Sequence, residues 1–320
     1  MAAFVARGTA VARGVPLAEF GALSGVVGEE EVTDVFLNAD GTVWADRGTG
    51  AVPQQGARLS AQAARDLAVR LVALGGRHVD EASPCVDVRL GDGLRVHVVL
   101  PPVSRGGALI SVRIPAARHL GLEQLEHGGF FAAGEAGRIR KLVARRANLL
   151  VTGAGGSGKT TFLAAMLAAA PAHERIVVLE DVAELRIEHP HVVSLEARQA
   201  NLEGAGGIGL DRLVREALRM RPDRIVVGEC RGAELRELLA ALNTGHDGGA
   251  GTLHANSLAD VPARLEALGA LAGMSSEAVA RQAVSALDVV LHVERTPEGR
   301  RLAAVGELAL DRRGRLVVNA

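Results

Sequence analysis

The run Gly153-Ala154-Gly155-Gly156-Ser157-Gly158-Lys159-Thr160 constrains this chain of 320 residues more than any other stretch. It matches GxxxxGK followed by Thr, directly after the apolar segment NLLVT and before the helix-forming segment Thr161 to Ala170. Strand, glycine loop and helix in that order are the setting in which such a loop cradles phosphate. Glycines let successive backbone N–H groups turn inward as an anion nest, and the helix N-terminus adds its partial positive charge. Gly153 to Thr160, with Thr161 behind them, are therefore the candidate ATP-binding residues. Lys159 is expected to reach the β- and γ-phosphates, and the Thr160 hydroxyl to ligate Mg2+. Lysine here is informative in itself, because Lys141 and Lys159 are the only lysines and every other basic position is Arg. A planar guanidinium cannot replace a compact ammonium curled inside a phosphate loop.

Hydrolysis needs carboxylates near the γ-phosphate to hold magnesium, directly or through water, and to orient the attacking water. Two apolar runs supply them. RPDRIVVGE, Arg221 to Glu229, reads as a buried strand ending in Glu229, which occupies the place of a Walker B carboxylate and gives Mg2+ a second candidate ligand. RIVVLEDVAEL carries Glu180, Asp181 and Glu184 just beyond its strand. In open α/β sheets, ligands bind outside the carboxyl ends of the strands, where the glycine loop, Glu180, Glu229 and His254 all fall. Which carboxylate acts as base stays open. His254 and His246 belong to the glycine-rich stretch TGHDGGAGTLHANS. Zinc would require further ligands, and none lie near in sequence. The stretch reads instead as a flexible connection, Gly245 to Gly251, with His254 placed to sense the γ-phosphate or Glu229 and His246 as a second candidate. Arg231 is expected to pair with Glu234 one helical turn on.

The flanking sequence suggests two domains. Residues 1–117 read as strands and turns around one helix: VTDVFL and TVWA flank the turn NADG, Ser60 caps a helix to about Leu74, and Cys85 to Leu90, Leu94 to Leu100 and Ala108 to Ile114 alternate as strands. This is a small α+β module. Residues 118–320 alternate helices with the short apolar strands Asn148 to Val151, Arg175 to Leu179, Arg224 to Val227 and Ala250 to Leu253, which predicts an α/β domain with a mostly parallel sheet. Thirty-six basic against thirty-seven acidic side chains leave no basic footprint for a nucleic-acid backbone, and aromatic residues at 2% leave few stacking platforms. No direct nucleic-acid partner is expected. The two cysteines, Cys85 and Cys230, suggest neither disulfide nor zinc, which fits a reducing cytoplasmic setting. No apolar tract is long enough to span a bilayer, so membrane association is expected only through partners.

GAGGSGKTT, VLEDVAELRI, RPDRIVVGECRGAE and TGHDGGAGTLHANS, in that order, resemble the Walker A, Asp box, Walker B and His box of the type II/IV secretion ATPase superfamily. GEEEVTDVFLNADGTVWADRGTG, LRVHVVLPPVSRGGALISVRIP and MSSEAVARQAVSALDVVLHVER extend the resemblance to its TadA/CpaF branch. The resemblance implies a RecA-like P-loop NTPase domain behind a PAS-like N-terminal domain. It further implies a homo-hexameric, ATP-hydrolysing motor on the cytoplasmic face of an integral inner-membrane platform, powering pilus assembly, protein secretion or conjugal transfer. It also implies arginines supplied by the N-terminal domain to complete the nucleotide site: Arg95 in LRVHVVLPP and Arg113 in SVRI, with Arg105 a weaker candidate. Two other readings stand beside it, a RecA-like nucleic-acid translocase and an ATP-binding assembly scaffold that does not hydrolyse.

Overall fold

The computed structural model describes residues 11–12, 14–91, 93–114, 120–198 and 206–320. The chain divides into two compact units, Met1–Arg118 and His119–Ala320.

In the first unit a two-stranded ribbon, β1 (Val11–Ala12) and β2 (Val15–Pro16), and a short helix, α1 (Ser24–Val27), lead into an antiparallel sheet. Its strands are β3 (Asp34–Leu37), β4 (Thr42–Asp46), β5 (Ala51–Arg58), β6 (Cys85–Leu90), β7 (Leu94–Val99) and β8 (Leu109–Arg113), in the spatial order β5-β4-β3-β8-β7-β6. Strict alternation of buried and open positions along β3, β4, β6 and β7 gives the sheet one apolar face. Helix α2 (Ala61–Leu74) covers that face with Ala64, Leu67, Ala68, Leu71 and Val72. The Ser60 side chain accepts a hydrogen bond from the Ala63 N–H at 3.2 Å, satisfying one of the donors a helix start leaves open.

The second unit opens with α3 (Leu122–His127) and α4 (Glu135–Ala144), then alternates: β9 (Leu149–Gly153), α5 (Lys159–Ala168), β10 (Ile176–Glu180), β11 (Val192–Glu196), α6 (Leu210–Ala217), β12 (Arg224–Val227), α7 (Glu234–Leu242) and β13 (Ala250–His254). Helices α8 (Val261–Leu271) and α9 (Ser276–Ala286) precede β14 (Val289–Thr296), β15 (Gly299–Leu310) and β16 (Leu316–Asn319). The eight strands lie in the order β11-β10-β12-β13-β9-β14-β15-β16, parallel from β11 through β14 and antiparallel beyond. β9, β10 and β12 are buried throughout, as a sheet covered on both faces requires. Alternate residues feed two cores. Val177, Leu179, Ile225 and Val227 meet α6 and α7 on one side, while Ile176, Val178 and Val226 share the other with Phe162, Leu163 and Met166 of α5. Among the described residues no helix is long and apolar enough to cross a membrane.

Candidate active site

The glycine loop leaves the sheet at the end of its central strand. At Gly153, with φ 152°, a Cβ would stand 2.3 Å from the Val293 carbonyl oxygen and 2.6 Å from Ser157 Oγ, so no larger residue fits between β14 and the loop. The chain then turns into α5, whose first residue is Lys159. The Lys159 ammonium bends back and donates to the carbonyls of Gly153 and Ala154, both at 2.9 Å. Burial lowers the Lys159 pKa, and the nearby charges of Glu229 and Glu184 act in the opposite direction. A cation already stripped of part of its water, with carboxylates close by, fits a polyphosphate that brings its own compensating metal. Thr160 and Thr161 follow on the first turn of α5, where backbone N–H groups have no helical partner.

Glu229 stands two residues beyond the end of β12, half-buried, and its carboxylate pairs with Arg231 Nη2 at 2.5 Å. The expected pairing of Arg231 with Glu234 is thus corrected. The Glu234 carboxylate instead accepts the backbone N–H of Arg231 and, at 2.7 Å, that of Gly232, because it is buried under the turn and caps it. Thr252 Oγ1 donates to the Gly228 carbonyl at 2.6 Å and ties this turn to β13. The intervening Cys230 is buried, and burial pushes its thiol pKa far up, which makes it an inert packing residue.

Glu180 ends β10 and is buried, with Oε1 accepting the backbone N–H groups of Glu184 and Leu185, each at 2.9 Å. It thereby shapes the loop that presents Asp181 and Glu184 at exposed positions. The Asp181 pKa is raised, first by desolvation and then by the negative charges of Glu234 and Glu229, with Arg231 opposing. His254 ends β13 directly across from Gly153, and its imidazole edge lies 3.5 Å from where a Cβ on Gly155 would stand. Desolvation, then the Lys159 charge, lowers its pKa, so it is neutral at pH 7. Lys159, Glu229, Arg231, Asp181, Glu184 and His254 therefore share one electrostatic neighbourhood at the carboxyl edge of the sheet.

His246 is not brought to this place. It precedes β13, at the amino edge, where its N–H donates to the Ala241 carbonyl at 3.4 Å. His254 is the last residue of β13 and His246 lies before its first, Ala250, so at ~3.3 Å per residue the length of the strand separates the two histidines. In the first unit, Arg95 and Arg113 sit directly opposite one another on β7 and β8, next to Arg89 on β6, while Arg105 is exposed in the turn between β7 and β8. Two residues at the loop escape the motif search. His292 of β14 is 2% exposed and shares a hydrogen bond with Thr152 Oγ1 at 2.9 Å. Arg300 of β15 donates from Nε to the Gly156 carbonyl at 3.1 Å. Only the spacing of a turn, TPEG, between two strands could have pointed to Arg300.

The family model described as "Type II/IV secretion system protein" matches residues 47–300. A Mycobacterium tuberculosis protein provisionally named for conjugal transfer is 48% identical over 290 residues, 89% of this chain and 82% of that protein. Conjugal transfer protein TrbB of Rhizobium radiobacter is 33% identical over 279 residues, 86% of this chain and 83% of that protein. Among solved structures, the pilus retraction motor PilT with bound ADP superposes with a TM-score of 0.62 at 22% identity, over 87% of this chain and 78% of that one. The Legionella pneumophila ATPase DotB gives 0.58 at 20% identity, over 90% and 75%. With the fold and the sequence match in agreement, the chain belongs to the type II/IV secretion system protein family, its second unit having the RecA-like P-loop ATPase fold.

Proposed function

We propose that this chain is an ATP-hydrolysing motor subunit that works as a homo-hexamer on the cytoplasmic face of an inner-membrane platform, driving conjugal transfer, pilus assembly or protein secretion. The observation that carries the reading is the convergence of Lys159, Glu229 and His254 around the glycine loop, each supplied by a different strand end. In this reading the loop amides and Lys159 hold the phosphates, while Thr160 and Glu229 hold Mg2+, directly or through water. The ion supplies charge neutralisation on the phosphates when bound. Glu229, released from Arg231, orients the attacking water, and neutral His254 reports the state of the γ-phosphate. Residues 1–117 act as the PAS-like module that brings Arg95 and Arg113 to the nucleotide, and residues 118–320 form the motor domain. The relatives named for conjugal transfer support that class of cargo system, and the quoted flanking stretches support the TadA/CpaF branch.

The test uses two substitutions on the purified chain. Lys159→Ala abolishes both nucleotide binding and hydrolysis, whereas Glu229→Gln keeps binding and loses hydrolysis by about 10²- to 10⁴-fold. Turnover retained by Lys159→Ala overturns the site assignment, and turnover retained by Glu229→Gln moves the water-orienting role to another carboxylate.

A further inference from the structure

The carboxylates and His254 reach the glycine loop from one side only. In the strand order, β10, β12 and β13 lie on one side of β9, and β14, β15 and β16 on the other. β14 runs parallel to β9, pairing His292 with Thr152, and continues to Thr296 after β9 has ended at Gly153. The β14–β15 hairpin therefore stands past the sheet edge beside the loop.

Arg300, the second residue of β15, lies against that loop. Its Nε donates to the Gly156 carbonyl at 3.1 Å. Its Cδ lies 2.9 Å from where a Cβ on Gly158 would stand, so the bare backbone of Gly158, at φ 101°, makes room for the arginine stem. A guanidinium has five N–H donors in a planar fork. The Gly156 contact uses the Nε–H, and among the described residues neither Nη nitrogen has a hydrogen-bond or ion-pair partner. Directly across the hairpin from Arg300 stands Arg295. Arg301 faces the other way and pairs with Glu294 at 3.4 Å.

The direction of a bound nucleotide follows from this layout. Its γ-phosphate must lie toward Glu229 and His254, where water can be oriented, so the chain of phosphates crosses the loop toward β14. The α-phosphate and the sugar then leave beside the hairpin. We propose that Arg300 contacts the α-phosphate and sugar end of the nucleotide from within the same chain, with its Nε kept on the Gly156 carbonyl and its two Nη groups turned to the ligand. The β14–β15 hairpin is thus the wall of the nucleoside subsite, and Arg300 is its ligand. This inference rests on the nucleotide-binding reading above.

Titration calorimetry of the full chain with magnesium, using ADP and orthophosphate as probes, tests it. Orthophosphate, with a single phosphoryl group, can fill the nest without spanning to the α-phosphate position. Arg300→Ala is expected to weaken ADP by about tenfold or more, the loss of a charge-assisted contact, and to leave orthophosphate unchanged. Arg301→Ala, on the opposite face of the same hairpin, is expected to change neither. Equal weakening of ADP and orthophosphate by Arg300→Ala would reduce the residue to a prop for the loop and overturn the proposal. So would an unchanged ADP affinity, or an equal loss in Arg301→Ala. If the unsubstituted chain binds neither probe, the nucleotide-site reading falls as well, an outcome distinct from failure of Arg300→Ala alone.

Discussion

Glu229 and Arg231 hold one another at 2.5 Å, so the residue best placed to orient water has its charge engaged by a neighbour two positions away. Burial acts on a second residue beside the loop. His292 is 2% exposed, bound through Nδ1 to Thr152 Oγ1, with Nε2 3.9 Å from the Glu294 carboxylate. Desolvation lowers its pKa from 6.5, with Glu294, the Asn256 backbone and Asp260 opposing and the Lys159 charge reinforcing the shift. The pKa of His254 is lowered from the same starting value. The sign of the pH effect follows. Between the lowered folded value and 6.5 the unfolded chain binds more protons, so stability is complete above pH 6.5 and is lost as pH falls below it. His292→Gln is expected to lower the melting temperature at pH 7, since the Thr152 hydrogen bond is worth about 1 kcal/mol, yet to flatten its decline between pH 7 and pH 5. Thermal unfolding across that range checks it, and a decline as steep as in the unsubstituted chain would assign the acid sensitivity to other groups.

At the scale of elements, strands with plain apolar runs or strict alternation were legible, whereas the edge strands β5 and β11 were not. NLLVT, RIVVL and RIVVG announce β9, β10 and β12 because these strands are buried on both faces and need apolar residues at every position. β5 contains Pro53 and Gly56, which read as breakers but are tolerated because β5 is the edge of its sheet. β11 is likewise an edge strand, with no fully buried position. The strand read at Ala250 to Leu253 is present as Ala250–His254, and it sends the two histidines of the glycine-rich stretch to opposite edges, since His246 precedes it and His254 ends it. The amino edge holds its own device. Arg224 is 2% exposed and donates from Nε to Glu174 at 2.5 Å and from Nη2 to the Val143 carbonyl at 2.8 Å, fastening the start of β12 to the end of α4 and the turn before β10. Breaking such a pair from one side leaves a buried charge without compensation. Glu174→Ala is expected to cost about 3–5 kcal/mol in denaturant unfolding, and the double change Arg224→Met with Glu174→Leu to cost less. A loss under about 1 kcal/mol for Glu174→Ala would mean that water reaches the pair.

For the whole molecule the question is what the first unit adds to the nucleotide site proposed in the second. Its sheet places Arg89, Arg95 and Arg113 in one row across β6, β7 and β8, followed by Asp34 and Asp46 on β3 and β4. In the proposed motor that row is the source of positive charge for the transferring phosphoryl group once subunits assemble, and a charge delivered in this way depends on the partner being present. Specific ATPase activity is therefore expected to rise with protein concentration through the range in which sedimentation velocity detects rings. Arg113→Ala is expected to assemble over the same range without that rise, because the substitution removes one exposed guanidinium and no buried contact. A monomer whose specific activity is independent of concentration would remove the cross-subunit role of Arg95 and Arg113. A concentration-dependent rise that survives Arg113→Ala would shift that role to Arg95 or Arg89, the other members of the row.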